Sequence, residues 1–203
     1  MKRLLIIGAG GHGRVAADIA KRIGYQEIAF LDDEPREGVI ASTSQFIQFI
    51  DDSDFFVAIG NSSTRESIQR NLMNANASVV TLIHPSAIIA DGVKIGQGCL
   101  VSAGAIICVD AVIGDGTIVN TSASVDHDCV IENFVHIAVG AHVCGTVNIG
   151  SRTWVGAGAT VNNNVNIVGD CMIGAGAVVV SSITESGTYT GVPARKRGCS
   201  KTA

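Results

Sequence analysis

The stretch Ile113-Gly114-Asp115-Gly116-Thr117-Ile118-Val119-Asn120-Thr121-Ser122-Ala123-Ser124-Val125-Asp126-His127-Asp128-Cys129-Val130-Ile131 carries Ile or Val at every sixth position. The series extends outward without a miss, from Ile83, Ile89, Ile95, Val101 and Ile107 below it to Ile137, Val143, Ile149, Val155, Val161, Ile167, Ile173 and Val179 above it. A helix of 3.6 residues per turn would scatter these side chains around its circumference. A three-sided coil gathers them. One short strand per side and one turn per corner point every sixth residue inward, and three hexads close one coil. This is the repeat of a parallel β-helix. It places residues i and i+18 one above the other, about 4.8 Å apart. Seventeen such positions predict nearly six coils, a prism roughly 28 Å tall.

Composition agrees. The chain of 203 residues is 47% hydrophobic and 16% charged, with 24 glycines and only 4% aromatics. Small corners and an interior of Ile, Val, Ala and Cys suit a solenoid. A net charge of −4 argues against general affinity for nucleic acid or anionic membrane, so an anion site must be local. No segment reaches the roughly 18 consecutive apolar residues of a membrane span. The apolar start is broken at once by Gly8, Gly10 and Gly11, with no cleavage site after it. It reads as a buried strand, and the chain as cytoplasmic with no membrane insertion. The six cysteines include no CxxC pair. Cys99, Cys129 and Cys171 each fall four residues after an apolar knob and read as small core fillers. Cys108 and Cys144 lie two coils apart, too far to bridge. Reduced thiols are expected.

Residues 1–82 lack the sixfold pattern. Strands are predicted at 2–7, 27–31, 54–59 and 79–82, with helices at 14–23, 44–50 and from 63 or 64 to about 74. Alternating strands and helices predict a parallel sheet covered on both faces. The domains are therefore an α/β half-Rossmann unit at 1–82, a β-helix at 83–184 and a tail at 185–203.

Gly8-Ala9-Gly10-Gly11-His12-Gly13 joins the first strand to the first helix and matches G-x-G-x-x-G through Gly8, Gly10 and Gly13. Such glycines let backbone approach a phosphate beside the unpaired N–H groups of a helix start. Asp32 follows at the end of the second strand, where an acidic residue binds a ribose hydroxyl. Alone, this suggests NAD. The missing second half of the fold and the intrusion of His12 favour a nucleotide-linked substrate, with a ligand-free tight turn as the bland alternative. Gly60 and Asn61 lie on the same carboxyl edge of the sheet.

In the coils, His127 falls two residues past Val125 and should project from a face as a general base. Asp128 can orient it. Adding 18 to 127 gives Gly145, where a missing side chain leaves room for a thioester and an N–H could bind a developing oxyanion. Asn163 is one rung further, and Asp110 stacks on Asp128. His136, nine residues from His127, reads as a second functional histidine, whereas His142 and His84 read as structural. Trp154, one rung above His136, reads as packing surface. Arg195, Lys196 and Arg197 follow the Val192-Pro193 turn and can meet phosphates.

Together these features resemble the hexapeptide-repeat acyltransferases of the sialic-acid O-acetyltransferase and amino-sugar N-acetyltransferase family, and most nearly the UDP-4-amino-sugar N-acetyltransferases of bacillosamine synthesis. Gly8–Gly13 with His12, Phe30-Leu31-Asp32-Asp33, the run 55–61, Leu82-Ile83-His84, Asn120-Thr121-Ser122, His127-Asp128-Cys129 and Gly191-Val192-Pro193-Ala194 carry the resemblance. It implies a left-handed coil, a homotrimer and acetyl-CoA in the groove between neighbouring prisms. It implies His127, Asp128 and Gly145 as catalytic groups. His136, Gly145, Gly158, Gly176, Val192, Pro193 and Arg195 would contact the cofactor. Gly10, Gly11, His12, Gly13, Asp32, Asp33, Gly60, Asn61 and Asn120 would hold a UDP-amino sugar, with no metal. The implied reaction is direct acetyl transfer to a sugar 4-amino group. Rival readings are sialic-acid O-acetylation, N-acetylation of a GDP-linked amino sugar, and a non-catalytic nucleotide-sugar-binding scaffold.

Overall fold

The computed structural model describes residues 2–198. Cys199 and the end of the tail lie outside the described residues. The N-terminal sheet is all parallel, in the order β3-β2-β1-β4-β5. Its strands are β1 (Arg3–Ile7), β2 (Ile28–Leu31), β3 (Val39–Ala41), β4 (Ser53–Val57) and β5 (Ser78–Val79). After Arg3, β1 is apolar because residues 4–7 are buried on both faces. Leu4 and Ile6 pack with Ala16, Ile19 and Ala20 of α1 (Gly11–Arg22). Leu5 and Ile7 pack with Phe55, Val57 and Leu72, the last from α2 (Ser62–Asn74). Because β2 and β4 flank β1 on opposite sides, the carboxyl ends of β1 and β4 border a switch-point crevice.

Three local expectations are corrected. Helix α1 begins at Gly11 with Gly10 as its N-cap, so His12 and Gly13 belong to its first turn and not to a loop. The second helix is a 3₁₀ segment, Thr43–Phe49. The predicted strand at 79–82 divides: β5 stays in the α/β sheet, and Leu82–Ile83 opens the coil.

The coil has three faces. The first carries Leu82–Ile83, Leu100–Val101, Ile118–Val119, His136–Ile137, Trp154–Val155 and Cys171–Ile173. The second carries Ile88–Ile89, Ile106–Ile107, Ser124–Val125, His142–Val143, Thr160–Val161 and Val178–Val179. The third carries Lys94–Ile95, Val112–Ile113, Val130–Ile131, Asn148–Ile149 and Asn166–Ile167. From Leu82 to Val179 every paired rung is offset by 18 residues, as in Ser124↔His142 and His136↔Trp154. The knobs fill one interior cluster together with Cys99, Cys129, Cys171 and small residues at the same position of other hexads. Interior polar atoms bond backbone: Thr117 Oγ1 donates to Glu132 O at 2.9 Å, and Cys129 Sγ to Cys144 O at 3.1 Å. The five described cysteines are free thiols.

Each corner is a ladder of left-handed residues. Gly92, Asp110, Asp128, Thr146 and Asn164 form one, and Gly98, Gly116, Phe134, Arg152 and Asp170 another. Gly, Asp and Asn suit this conformation; Phe134 and Arg152 must be held there by their surroundings. The coil also outlasts its predicted end at 184. Gly187–Thr190 pairs in parallel with Cys171–Ile173, and Arg195–Lys196 folds back on it.

The outward residue before each knob decides where the α/β domain sits. On the first face Leu82, Leu100 and Ile118 are apolar, and all three are buried against α1. Helix α2 covers the corner between the third and first faces. Gln69 Nε2 donates to Gln97 O at 3.0 Å, and Glu66 pairs with Arg152 at 3.1 Å. No helix among the described residues is long and apolar enough to cross a membrane.

Candidate active site

His127 stands at the corner between the second and third faces, on a short link from Ser124–Val125 to Val130–Ile131. Its main chain is fixed: its N–H donates to Asp126 Oδ1 at 2.8 Å, and its carbonyl accepts Thr146 N–H at 2.9 Å. Nδ1 lies 2.8 Å from Asp128 Oδ2. A carboxylate only accepts, so Nδ1 carries the proton and Nε2 keeps its lone pair. The bond to Asp128, with the charges of Asp126 and Asp128, raises the His127 pKa above its ordinary value. The side chain is half exposed, open to a ligand arriving from outside the prism.

Gly145 lies directly under this ring. A Cβ built on it would sit 2.5 Å from His127 Nε2, so only glycine leaves the ring in this position. Gly145 N–H makes no hydrogen bond among the described residues. A lone pair and a free amide donor thus meet over one residue-sized gap, as the 18-residue arithmetic predicts. Such a pair can take a proton from a nucleophile and stabilise negative charge on a carbonyl oxygen.

The glycine turn lies at the carboxyl edge of the α/β sheet. Gly13 is a packing residue, since a Cβ there would collide with Gly8 O. Gly10 and Gly11 leave open space. Asp32 accepts Ala9 N–H at 2.7 Å and Glu34 N–H at 3.0 Å; these bonds lower its pKa and brace the turn. Asp33 accepts Thr43 N–H at 3.0 Å. Asn61 caps α2 by accepting Thr64 N–H at 2.9 Å, and Gly60 precedes it. A cleft of about 510 Å³ opens beside the turn, lined by Ala9, Arg14, Lys21, Phe30 and Arg36 among others. Sequence reasoning missed this cleft; Arg14 and Lys21, seven residues apart on α1, are its readable signal.

His136 is placed apart from His127. It lies on the first face, 5% exposed, with the tilted ring of Trp154 at 4.1 Å and that of His12 at 6.3 Å between ring centres. Burial, then Arg65 and His12, push its pKa down to about 3; burial and Arg65 lower that of His12 to about 4. Asn120 Oδ1 accepts Thr121 N–H at 2.8 Å, which leaves its NH₂ to donate to His136 Nε2 at 3.1 Å. Gly158 and Gly176 lie on the corner between the first and second faces, with positive φ and nothing near a built Cβ. They are therefore on a different corner from His127. In the tail Val192 is exposed, Arg195 bonds Ala194 O, and Lys196 pairs with Glu185 at 2.9 Å.

Residues 3–72 match the PglD N-terminal domain family. The acetyltransferase domain of PglB from Neisseria gonorrhoeae FA1090 is 39% identical and superposes with a TM-score of 0.93, over 97% of this chain and 100% of that one. The chain belongs to the hexapeptide-repeat amino-sugar N-acetyltransferase family. Its coil is the left-handed parallel β-helix of that family. PerB from Caulobacter crescentus, solved with CoA and GDP-perosamine, is 35% identical with a TM-score of 0.94 over 98% of both chains. The UDP-N-acetylbacillosamine N-acetyltransferase of Bacillus subtilis (strain 168) is 36% identical over 113 residues, 51% of this chain and 52% of that protein. The match thus spans about half the length of that curated relative.

Proposed function

We propose that this chain is an acetyl-CoA-dependent N-acetyltransferase acting on the 4-amino group of a UDP-linked amino-deoxy sugar. The observation that carries the reading is the free Nε2 of His127 poised over the unpaired amide of Gly145. The amine attacks the thioester carbonyl, His127 Nε2 accepts its proton, Asp128 holds Nδ1–H, and Gly145 N–H stabilises the tetrahedral oxyanion. The C–S bond then breaks, and His127 returns the proton to the leaving thiolate. The C. crescentus relative is described with CoA, and the PglB domain has also been solved with acetyl coenzyme A. The glycine turn and its cleft would hold the nucleotide diphosphate.

The placement of these parts favours a homotrimer. The glycine turn packs on the first face, next to His136. His127 projects from the opposite corner of the same prism. A sugar held at one chain's turn is separated from that chain's base by the prism itself. A neighbouring prism that presents its His127 corner completes the site, with Gly158, Gly176 and the Val192–Pro193–Arg195 turn of one subunit lining the groove for CoA.

UDP is favoured by the bacillosamine-type relative, whereas the perosamine enzyme is described with a GDP sugar. The test is CoA-SH release with a panel of UDP-, GDP- and CMP-linked sugars. Fastest release with a UDP-4-amino sugar is expected; release only with a GDP sugar or a sialic acid corrects the acceptor. Nucleotide binding with no release anywhere would leave a scaffold.

Asp128→Asn tests the dyad. The base works as neutral imidazole, and Asp128 raises the His127 pKa. In the wild type kcat/KM should fall as pH drops through that raised value. In the variant the acid limb should move to lower pH while the plateau falls by roughly tenfold or more, because the ring loses its orienting acceptor. An unmoved acid limb would detach Asp128 from the base.

A further inference from the structure

Arg65 is wholly buried, and among the described residues no carboxylate pairs with it. Apart from a longer bond from Nη2 to Ser62 Oγ at 3.4 Å, its guanidinium is spent on main-chain carbonyls. Nη1 donates to Ile59 O at 2.8 Å and Gly60 O at 2.9 Å, at the carboxyl end of β4. Nε donates to Gly116 O and Nη2 to Phe134 O, each at 2.8 Å, on successive rungs of a coil corner. Enclosing a cation without an anion is costly, and an apolar side chain could join two domains more cheaply. A planar fork with several fixed donors does what an apolar residue or a lysine does not: it sets the angle and distance between the two carbonyl pairs.

Beside Arg65 lie two imidazoles with spare polar atoms. His12 Nε2 and His136 Nδ1 are both buried and have no hydrogen-bond partner among the described residues. Because Asn120 donates to His136 Nε2, Nδ1 carries the proton and is a donor with nothing to bond among the described residues. The charged groups that face these rings are Arg65 and the rings themselves.

We infer that Arg65 is a positioning residue for the nucleotide-sugar site, locking the end of β4 to the coil corner and so fixing His12 and His136, with their spare ring nitrogens, beside the glycine turn. This rests on the reading of that turn as the diphosphate site. Both rings have depressed pKa values, from burial first and Arg65 next. Removing the cation should therefore let them protonate at higher pH.

The experiment compares Arg65→Gln and Arg65→Lys with wild type by steady-state kinetics and by NMR titration of the imidazole C–H signals, assigned with His12→Asn and His136→Asn. In both variants KM for the nucleotide sugar should rise about tenfold or more, with KM for acetyl-CoA within about twofold. Only in Arg65→Gln should the His12 and His136 midpoints move up; lysine keeps the charge and loses the fork. Michaelis constants that rise together, or Arg65→Gln midpoints equal to those of wild type, overturn the inference. If Arg65→Gln does not fold, the kinetic split in Arg65→Lys decides. A wild-type protein that turns over no nucleotide amino sugar would sink the function proposed above, and the titrations would still decide on Arg65.

Discussion

His127→Ala is expected to lower kcat by roughly 10²–10⁴, the usual worth of a positioned general base, with CoA affinity within about twofold of wild type. The amine of a nucleotide sugar must shed a proton as it bonds to carbon, and water is a poor and badly placed acceptor for it. His127 Nε2 keeps a free lone pair at this corner, with its other nitrogen engaged by Asp128 at 2.8 Å. CoA affinity should survive because the ring's contacts are with Asp128 and Gly145. A conservative control is His127→Asn, which keeps a polar planar group but offers no base. Both variants should also lose the acid limb of the kcat/KM profile, since the group that titrates there is gone. Initial rates of CoA-SH release at saturating acetyl-CoA, with CoA binding measured calorimetrically, check the split. Wild-type turnover in His127→Ala would leave the amine to be deprotonated elsewhere.

Much of this corner was legible before any coordinates, because a period of six converts sequence distance into height on a prism. His127 and Gly145 are 18 apart and meet; His136 and Trp154 are 18 apart and bring their ring centres within 4.1 Å. The docking face was legible too, though unread. Taking the residue before each knob at intervals of 18 gives Leu82, Leu100 and Ile118, an outward stripe too apolar to face water. What a period cannot report is a partner with no side-chain signature. Arg65 bonds four carbonyls, and every residue has a carbonyl, so nothing at 116 or 134 announces the contact. The glycine turn misled for a related reason. G-x-G-x-x-G states that backbone comes close to something, and at Gly13 that something is Gly8 O. The helix therefore starts inside the motif, which carries His12 down against the coil and away from a free loop.

Gly145→Ala is expected to cost about 10²-fold or more in kcat/KM, with the fold intact and nucleotide-sugar affinity unchanged, a loss of the size that small misplacements of reacting groups produce. The new methyl carbon would lie 2.5 Å from Nε2 and 2.6 Å from Cε1 of His127. Those atoms are the tip of an exposed side chain, so the ring can swing aside and the chain still folds. Gly145 is also absent from the residues with positive φ, so alanine fits its backbone without strain. The damage falls on chemistry alone: a displaced ring breaks the alignment with Asp128, and the methyl fills the gap where the thioester carbonyl must approach the Gly145 amide. His127→Ala/Gly145→Ala should then be little worse than His127→Ala, because with no imidazole there is nothing left to displace except access to the amide. Equal rates for wild type and Gly145→Ala would show that the reacting carbonyl lies elsewhere on the prism. Additive losses in the double variant would show that residues 127 and 145 serve separate steps, whereas strong non-additivity is what one shared transition state over one rung requires.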